Sequence, residues 1–196
     1  SESPKPYSIF MSVYAGLARE HMKLFGTTQR QIAAVSAKNH THSVHNAKAQ
    51  FQTPATIDEV LAAPAITYPL TLPMCAPITD GAAAVLVCNK KGLAKLKLDK
   101  SRAIKVLATV LGSGNPEREF SDAQTHCARL AADKAYNIAG ISPADVDVAE
   151  VHDATAFGEI IHAENLGLAP IGEGGFAAEQ GDFTIGVRVP VNPSGG

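Results

Sequence analysis

A chain of 196 residues, 45% of them hydrophobic, is long enough for one globular domain with a substantial core. Its net charge of -2, with 18% charged residues and no basic face, excludes nucleic acid and an anionic membrane surface as partners. No apolar run approaches the roughly 18 to 20 residues of a membrane span, and residues 1–15 carry no basic leader, so a soluble, unexported chain is expected.

Residues 1–5 read as an extended entry, and Pro6 suits the first position of a helix. Phe10, Val13, Tyr14, Leu17, His21, Leu24 and Phe25 then recur at three- and four-residue spacing, which predicts one apolar stripe facing the core, with Gly26 ending the helix. Thr28 and Gln31 form a capping box for a second helix running through Ile32, Ala33, Val35 and Ala37 and fading near Asn46. Its last turns carry His40, His42 and His45. A metal site is set against the fact that 40 and 42 face different sides of a helix and no Cys, Asp or Glu completes a set, so a solvated polar helix end is expected.

Thr56 and Glu59 cap a short third helix. Pro64, Pro69, Pro73 and Pro77 make the next stretch a rigid extended connection. Asp80-Gly81 is a turn signal before residues 82–88, an all-apolar run that predicts a strand buried on both faces; 103–111 reads the same way. Between them, 90–96 is a short helix or turn. Helical spacing resumes from Ser121 through Ile138 and stops at Gly140, and Ser142-Pro143 opens a single turn.

Residues 146–158 read VDVAEVHDATAFG. The β-branched run Val146, Val148, Val151 predicts a strand that breaks at His152-Asp153 into a helix carrying Phe157, Ile160, Ile161 and Leu166 inward. That puts the pair at the carboxyl end of a strand, where ligands bind in α/β proteins and where the next helix aims its positive end. His152 there is a candidate acid, base or oxyanion donor; the alternative is a loop imidazole beside a helix cap. Finally, 172–183 reads as a glycine-rich turn region, 184–191 as an alternating strand and 192–196 (NPSGG) as a tight turn. Strands alternating with helices argue for a mostly parallel, helix-covered sheet. The three cysteines, Cys75, Cys88 and Cys127, are an odd count without a C-x-x-C pair; they fit reduced thiols in a cytoplasmic protein, two of them in apolar surroundings suited to a core.

Three stretches resemble the thiolases, in particular the sterol carrier protein-type thiolases and their relatives: CAPITDGAAAVLV (75–87), AEVHDATAFGEI (149–160), and GEGGFAAEQGD followed by VPVNPSGG (172–196). The resemblance implies an α/β, layered αβαβα fold, present here only in part as the middle and most of the C-terminal half. Residues 1–80 would be a helical and loop region with its connection, and 81–196 the incomplete C-terminal α/β half. It implies thiolysis of 3-ketoacyl-CoA or the reverse Claisen condensation, with a coenzyme A thioester as substrate and no covalently bound cofactor or metal. In that chemistry a cysteine is acylated, a second base takes the α-proton, and oxyanion holes hold the enolate and tetrahedral species.

By the same resemblance His152 occupies the oxyanion-hole position, Asp153 orients its turn, and Asn192, Gly195 and Gly196 form the turn that introduces the family's Gly-His-Pro loop. Ala76, Pro77, Thr155 and Phe157 match the substrate and coenzyme A pocket. Thr155 stands where the family motif usually has Phe, and Ala76 where many members have serine. None of the three cysteines matches the family's nucleophile, so the 196-residue chain by itself is expected to be inactive. A homodimer or higher oligomer is implied. Two alternatives stand beside this: a thiolase-like retro-aldolase acting on β-hydroxyacyl-CoA with a small zinc-ribbon and OB-fold partner, and a noncatalytic acyl-CoA-binding subunit.

Overall fold

The computed structural model describes residues 8–96, 100–115 and 119–196; the extended entry over 1–5 and the helix start at Pro6 lie outside them. Seven α-helices occur among the described residues: α1 (Ile9–Phe25), α2 (Gln29–Ser43), α3 (Ile57–Ala62), α4 (Lys90–Lys95), α5 (Cys127–Ala139), α6 (Ala156–Asn165) and α7 (Gly174–Gln180). None of them is long and apolar enough to cross a membrane. Local chemistry sets their ends. Gly26 and Gly140 close α1 and α5 in the left-handed conformation, at φ 77° and 70°. Thr28 opens α2 with a full capping box: its hydroxyl accepts from Gln31 N–H at 3.2 Å, and Gln31 Oε1 accepts from Thr28 N–H at 2.9 Å. Thr28→Ala is therefore expected to cost about 1 kcal/mol in a urea unfolding titration; an unchanged midpoint would show that the box adds nothing.

The core is built around α2, which packs on α3, α6 and α7, so regions 1–80 and 81–196 share it. Residues 32–39 are buried without interruption. Ile32 and Val35 meet Val60, Leu70, Met74, Phe157, Ile160, Phe183 and Val191 in one cluster.

Several expectations need correction. Of the α1 stripe, His21 is buried and Tyr14 packs against the core as expected, but Phe10, Val13, Leu17, Leu24 and Phe25 are exposed, Phe10 at 69% and Val13 at 56%, and Ala15 and Ala18 are buried beside His21. Small side chains let α1 lie close to its neighbours, and a spacing rule that weights large residues picks a face rotated from the buried one. Segments 82–88 and 103–111 form no strand: Val85 is 89%, Ile104 88% and Leu111 97% exposed. An apolar run becomes a strand only when another backbone pairs with it, and none does so here among the described residues.

The 146–151 and 184–191 strands reduce to one parallel bridge between Ala149 and Val191, so no mostly parallel sheet forms among the described residues. The single sheet among the described residues is an antiparallel hairpin of β1 (Ala65–Thr67) and β2 (Leu70–Thr71), turning at a cis Tyr68-Pro69 bond inside the stretch expected to be a rigid extended connection. Prolines at the turn and outside the ladder leave those few backbone groups free to pair. The glycine-rich 172–183 contains α7. Its Gly174 and Gly175 lie against Glu164 and Gln31, so they serve close approach and do not break the helix. Of the cysteines, Cys75 and Cys127 are half-buried and Cys88 is exposed, so none is a full core residue.

Candidate active site at the His152-Asp153 turn

Residues 149–151 run beside 190–192. Ala149 N–H donates to the Pro190 carbonyl at 3.1 Å, and Asn192 N–H to the Ala149 carbonyl at 2.8 Å. The chain then turns through His152 and Asp153, and Thr155 caps α6. A second segment braces the turn: Ala76 N–H donates to the Ala154 carbonyl at 3.0 Å, and Cys75 pairs with Thr155 across an antiparallel bridge.

His152 is exposed at this turn, and Asp153 is half-buried. Behind them lies a buried polar cluster contributed by four segments. Asn39, on α2, donates from Nδ2 to Asp153 Oδ2 at 3.0 Å and to Glu159 Oε2 at 2.8 Å. Asn192 donates from Nδ2 to the same Glu159 oxygen at 3.0 Å, while its Oδ1 accepts from Val151 N–H at 2.7 Å. Lys38 Nζ donates to Asn39 Oδ1 and to the Val191 carbonyl, both at 2.6 Å, and sits 3.0 Å from Glu159 Oε1.

Asn192 is the residue on which the segments converge, and its φ of 50° is the one positive value at a non-glycine among the described residues. Asparagine tolerates that conformation better than most residues, and its bonds to Glu159 and Val151 hold it there. Its carbonyl also accepts from His42. Ile185 N–H donates to His42 Nε2 at 3.1 Å, so that nitrogen carries no proton and Nδ1–H is the donor to the Asn192 carbonyl, at 3.0 Å. His42 is buried, and burial holds its pKa below the ordinary value, which corrects the expectation of a solvated helix end around 40–45. No group of three metal-ligating side chains is present among the described residues. A cavity of about 240 Å³ opens between α2 and the 184–185 turn, lined by Lys38, Thr41, His42, His45, Thr184 and Ile185.

The 192–196 turn is tied down on both sides. Ser194 donates from its N–H and its hydroxyl to the Glu150 carboxylate at 3.0 and 2.8 Å, and Asn46 Nδ2 donates to the Ser194 carbonyl at 2.9 Å. Gly195, at φ 109°, lies so close to α2 that a Cβ would stand 2.5 Å from Ser43 Cβ; a Cβ on Gly196 would strike the Asp153 carboxylate and Asn39. Glycine is therefore required at both positions.

The turn thus brings together His152, Asp153, Asn192, Gly195 and Gly196. The four residues expected in the pocket divide. Ala76 and Pro77 are exposed beside the turn, whereas Thr155 and Phe157 are fully buried, Phe157 with its ring 5.4 Å from that of His21. Lys38, Asn39 and Glu159 did not stand out in the sequence, and His42 stood out only as part of a solvated helix end, though polar residues inside the apolar pattern of α2 and α6 were a usable signal. Cys75 is near the turn, but burial pushes its thiol up to about 11, which leaves little thiolate at neutral pH.

Burial, reinforced by the Glu159 charge, pushes the Asp153 carboxyl up to about 6 from an ordinary 3.8. An acid with a raised folded pKa holds its proton more tightly in the folded chain, so its cost is fully present above about 6 and is relieved as pH falls towards 3.8. The stability advantage of Asp153→Asn over wild type is accordingly expected to shrink between about pH 7 and about pH 4 in paired urea titrations. A constant difference would mean that Asp153 titrates normally. Taking the difference also removes the opposite contribution of His42, whose depressed pKa lowers stability on acidification in both proteins.

The family pattern described as Thiolase C-terminal domain-like matches residues 115–196. Acetyl-CoA acetyltransferase of Methanothermobacter thermautotrophicus is 39% identical over 191 residues, 95% of this chain and 49% of that protein. Sterol carrier protein 2 of Bos taurus is 38% identical over 200 residues, 99% of this chain and 36% of that protein. The chain thus spans half or less of the length of these relatives. Among solved structures it is similar to the Ltp2-ChsH2(DUF35) aldolase, with a TM-score of 0.73 at 19% identity, over 99% of this chain and 56% of that one.

Proposed function

We propose, from the premise that this chain belongs to the thiolase-like family and carries part of its α/β fold, that it supplies the oxyanion-binding turn of an enzyme acting on acyl-CoA thioesters. The reaction is thiolysis of a 3-ketoacyl-CoA or the reverse Claisen condensation, and coenzyme A enters as the thiol of the substrate. The observation that carries this reading is the geometry of one turn: an exposed imidazole on a backbone held from behind by Asn39, Asn192 and the first turn of α6.

When the Cα–Cβ bond of the 3-ketoacyl group breaks, its electron pair moves toward the thioester and leaves negative charge on the carbonyl oxygen. A ring N–H of His152, directly or through one water, is a donor fixed before that charge appears, and such a donor is worth roughly 3 kcal/mol in the transition state. The amino end of α6 adds positive partial charge at the same place. Asp153 orients the turn through Asn39, and the 192–196 turn fixes the direction of the chain beyond it. Neither His152 nor Asp153 alone performs the proton transfers. Ala76 and Pro77, exposed beside the turn, are the pocket positions open to the thioester, and Thr155 and Phe157 shape the base of the turn from within.

A homodimer or higher oligomer belongs to the same reading, supported by the exposed apolar face of α1. So does a reducing, cytoplasmic location, supported by three unpaired cysteines. The test is an assay of the full-length protein with a 3-ketoacyl-CoA plus free coenzyme A, and separately with a β-hydroxyacyl-CoA. Release of two acyl-CoA products from the first is the expected result. Cleavage of the second alone, with an aldehyde or ketone as product, would replace the reading by retro-aldol chemistry and direct the search to a zinc-ribbon and OB-fold partner. Turnover of neither would leave an acyl-CoA-binding subunit.

A further inference from the structure

Lys38 is the buried cation of the chain's polar cluster, its side chain 3% exposed, and its partner Glu159 is 1% exposed. A buried ion pair is a poor source of stability, because removing both charges from water costs about as much as their attraction returns, and a well-packed apolar pair would serve as well or better. The arrangement here does something an apolar pair would not. Glu159 Oε2 accepts from both Asn39 and Asn192, while Oε1 makes no hydrogen bond and is balanced by the Lys38 ammonium 3.0 Å away. Lys38 in turn bonds Asn39 Oδ1 and the Val191 carbonyl, next to Asn192. Asn39 holds Asp153, and Asn192 holds Val151, so the two residues that flank His152 in sequence are each one amide away from the ion pair.

We propose that Lys38 and Glu159 are positioning residues: their ion pair fixes Asn39 and Asn192, which clamp Asp153 and Val151 on either side of His152 and so set the direction of its imidazole. Neither side chain reaches the surface that meets substrate, and their effect passes through the two asparagines. Burial lowers the Lys38 pKa and raises that of Glu159, and each charge opposes the shift of the other. The catalytic part of the inference rests on the oxyanion role of His152; the positional part does not.

The test is Lys38→Met/Glu159→Gln in the full-length protein. It removes both charges together and keeps an oxygen acceptor for the two asparagines. Amide hydrogen exchange is followed at Val151, whose N–H donates to Asn192, and at core positions of α1, with kcat and KM for 3-ketoacyl-CoA thiolysis measured alongside. The expected result is exchange about tenfold faster at Val151 with α1 unaffected, and kcat lowered about tenfold at nearly constant KM, the size of coupling found within one hydrogen-bond network.

Unchanged exchange at Val151 overturns the inference, as does equal acceleration in α1, which would mark the pair as purely structural. Should the double variant not fold, Asn39→Ala takes its place. It leaves both charges and cuts the links that run from Lys38 and Glu159 through Asn39 to Asp153, and unchanged kcat in it overturns the inference too. If the wild-type protein turns over no acyl-CoA, the functional reading fails, and the exchange at Val151 still decides the positional claim.

Discussion

Replacing His152 by Ala lowers kcat for thiolysis by about 100- to 1,000-fold, the range for loss of one oxyanion donor, with KM nearly unchanged. The split follows from where the charge develops. The ground-state carbonyl gains little from the imidazole, whereas the oxygen that becomes anionic gains most, so the loss falls on the chemical step. Folding does not share the penalty. His152 is exposed, and the backbone on either side of it is held by Val151, Asp153 and Ala154. A surface substitution of this kind stays within about 0.5 kcal/mol of wild type. Steady-state kinetics and a thermal melt on the same preparation therefore check the prediction together. A variant with wild-type kcat would remove His152 from the oxyanion hole, and a variant that melts early would make it a structural residue.

Glu159→Ala is expected to destabilise the protein by about 3 to 5 kcal/mol, the cost of breaking a buried ion pair from one side. Two consequences add. The Lys38 ammonium is left 3% exposed with two dipolar acceptors and without its ion-pair partner, only the weaker influence of Asp153 and Glu150 remaining, and the amides of Asn39 and Asn192 lose an acceptor they share. Asn192 is held at φ 50° partly by that bond, so the turn that carries Gly195 and Gly196 loosens with it. The double substitution Lys38→Met/Glu159→Gln costs less than Glu159→Ala alone, because no unpaired charge remains. Urea unfolding of the three proteins measures this; a loss below about 1 kcal/mol for Glu159→Ala would mean that water reaches the pair.

Helix ends were legible in the sequence because they are local chemistry. The Thr28-Gln31 and Thr56-Glu59 boxes and the Gly26 and Gly140 stops each act within a few residues, and all four form. Strands were not, since the apolar run 82–88 states only what it would bury and says nothing of which backbone it pairs with. The face of α1 was ambiguous for a related reason: Ala15 and Ala18 share a side with His21 and Tyr14, most of the large apolar residues lie on another, and close packing chose the alanines.

Within the site, His152-Asp153 and the Asn192 turn stood out by sequence and converge in space. Lys38, Asn39 and Glu159 did not, because the bonds that give them meaning join residues 114 and 120 positions apart. Lys38 and Asn39 follow six small or apolar residues on α2 without a break in burial. A lysine and an asparagine in that position are expensive unless paired, and this was the available clue.

The most direct test of the central claim is a crystal structure of the full-length protein with a non-cleavable acyl-CoA thioester analogue bound. The thioester oxygen is expected within hydrogen-bond distance of a His152 ring nitrogen, directly or across one water, at the amino end of α6. A thioester bound with its oxygen turned away from His152 would contradict it.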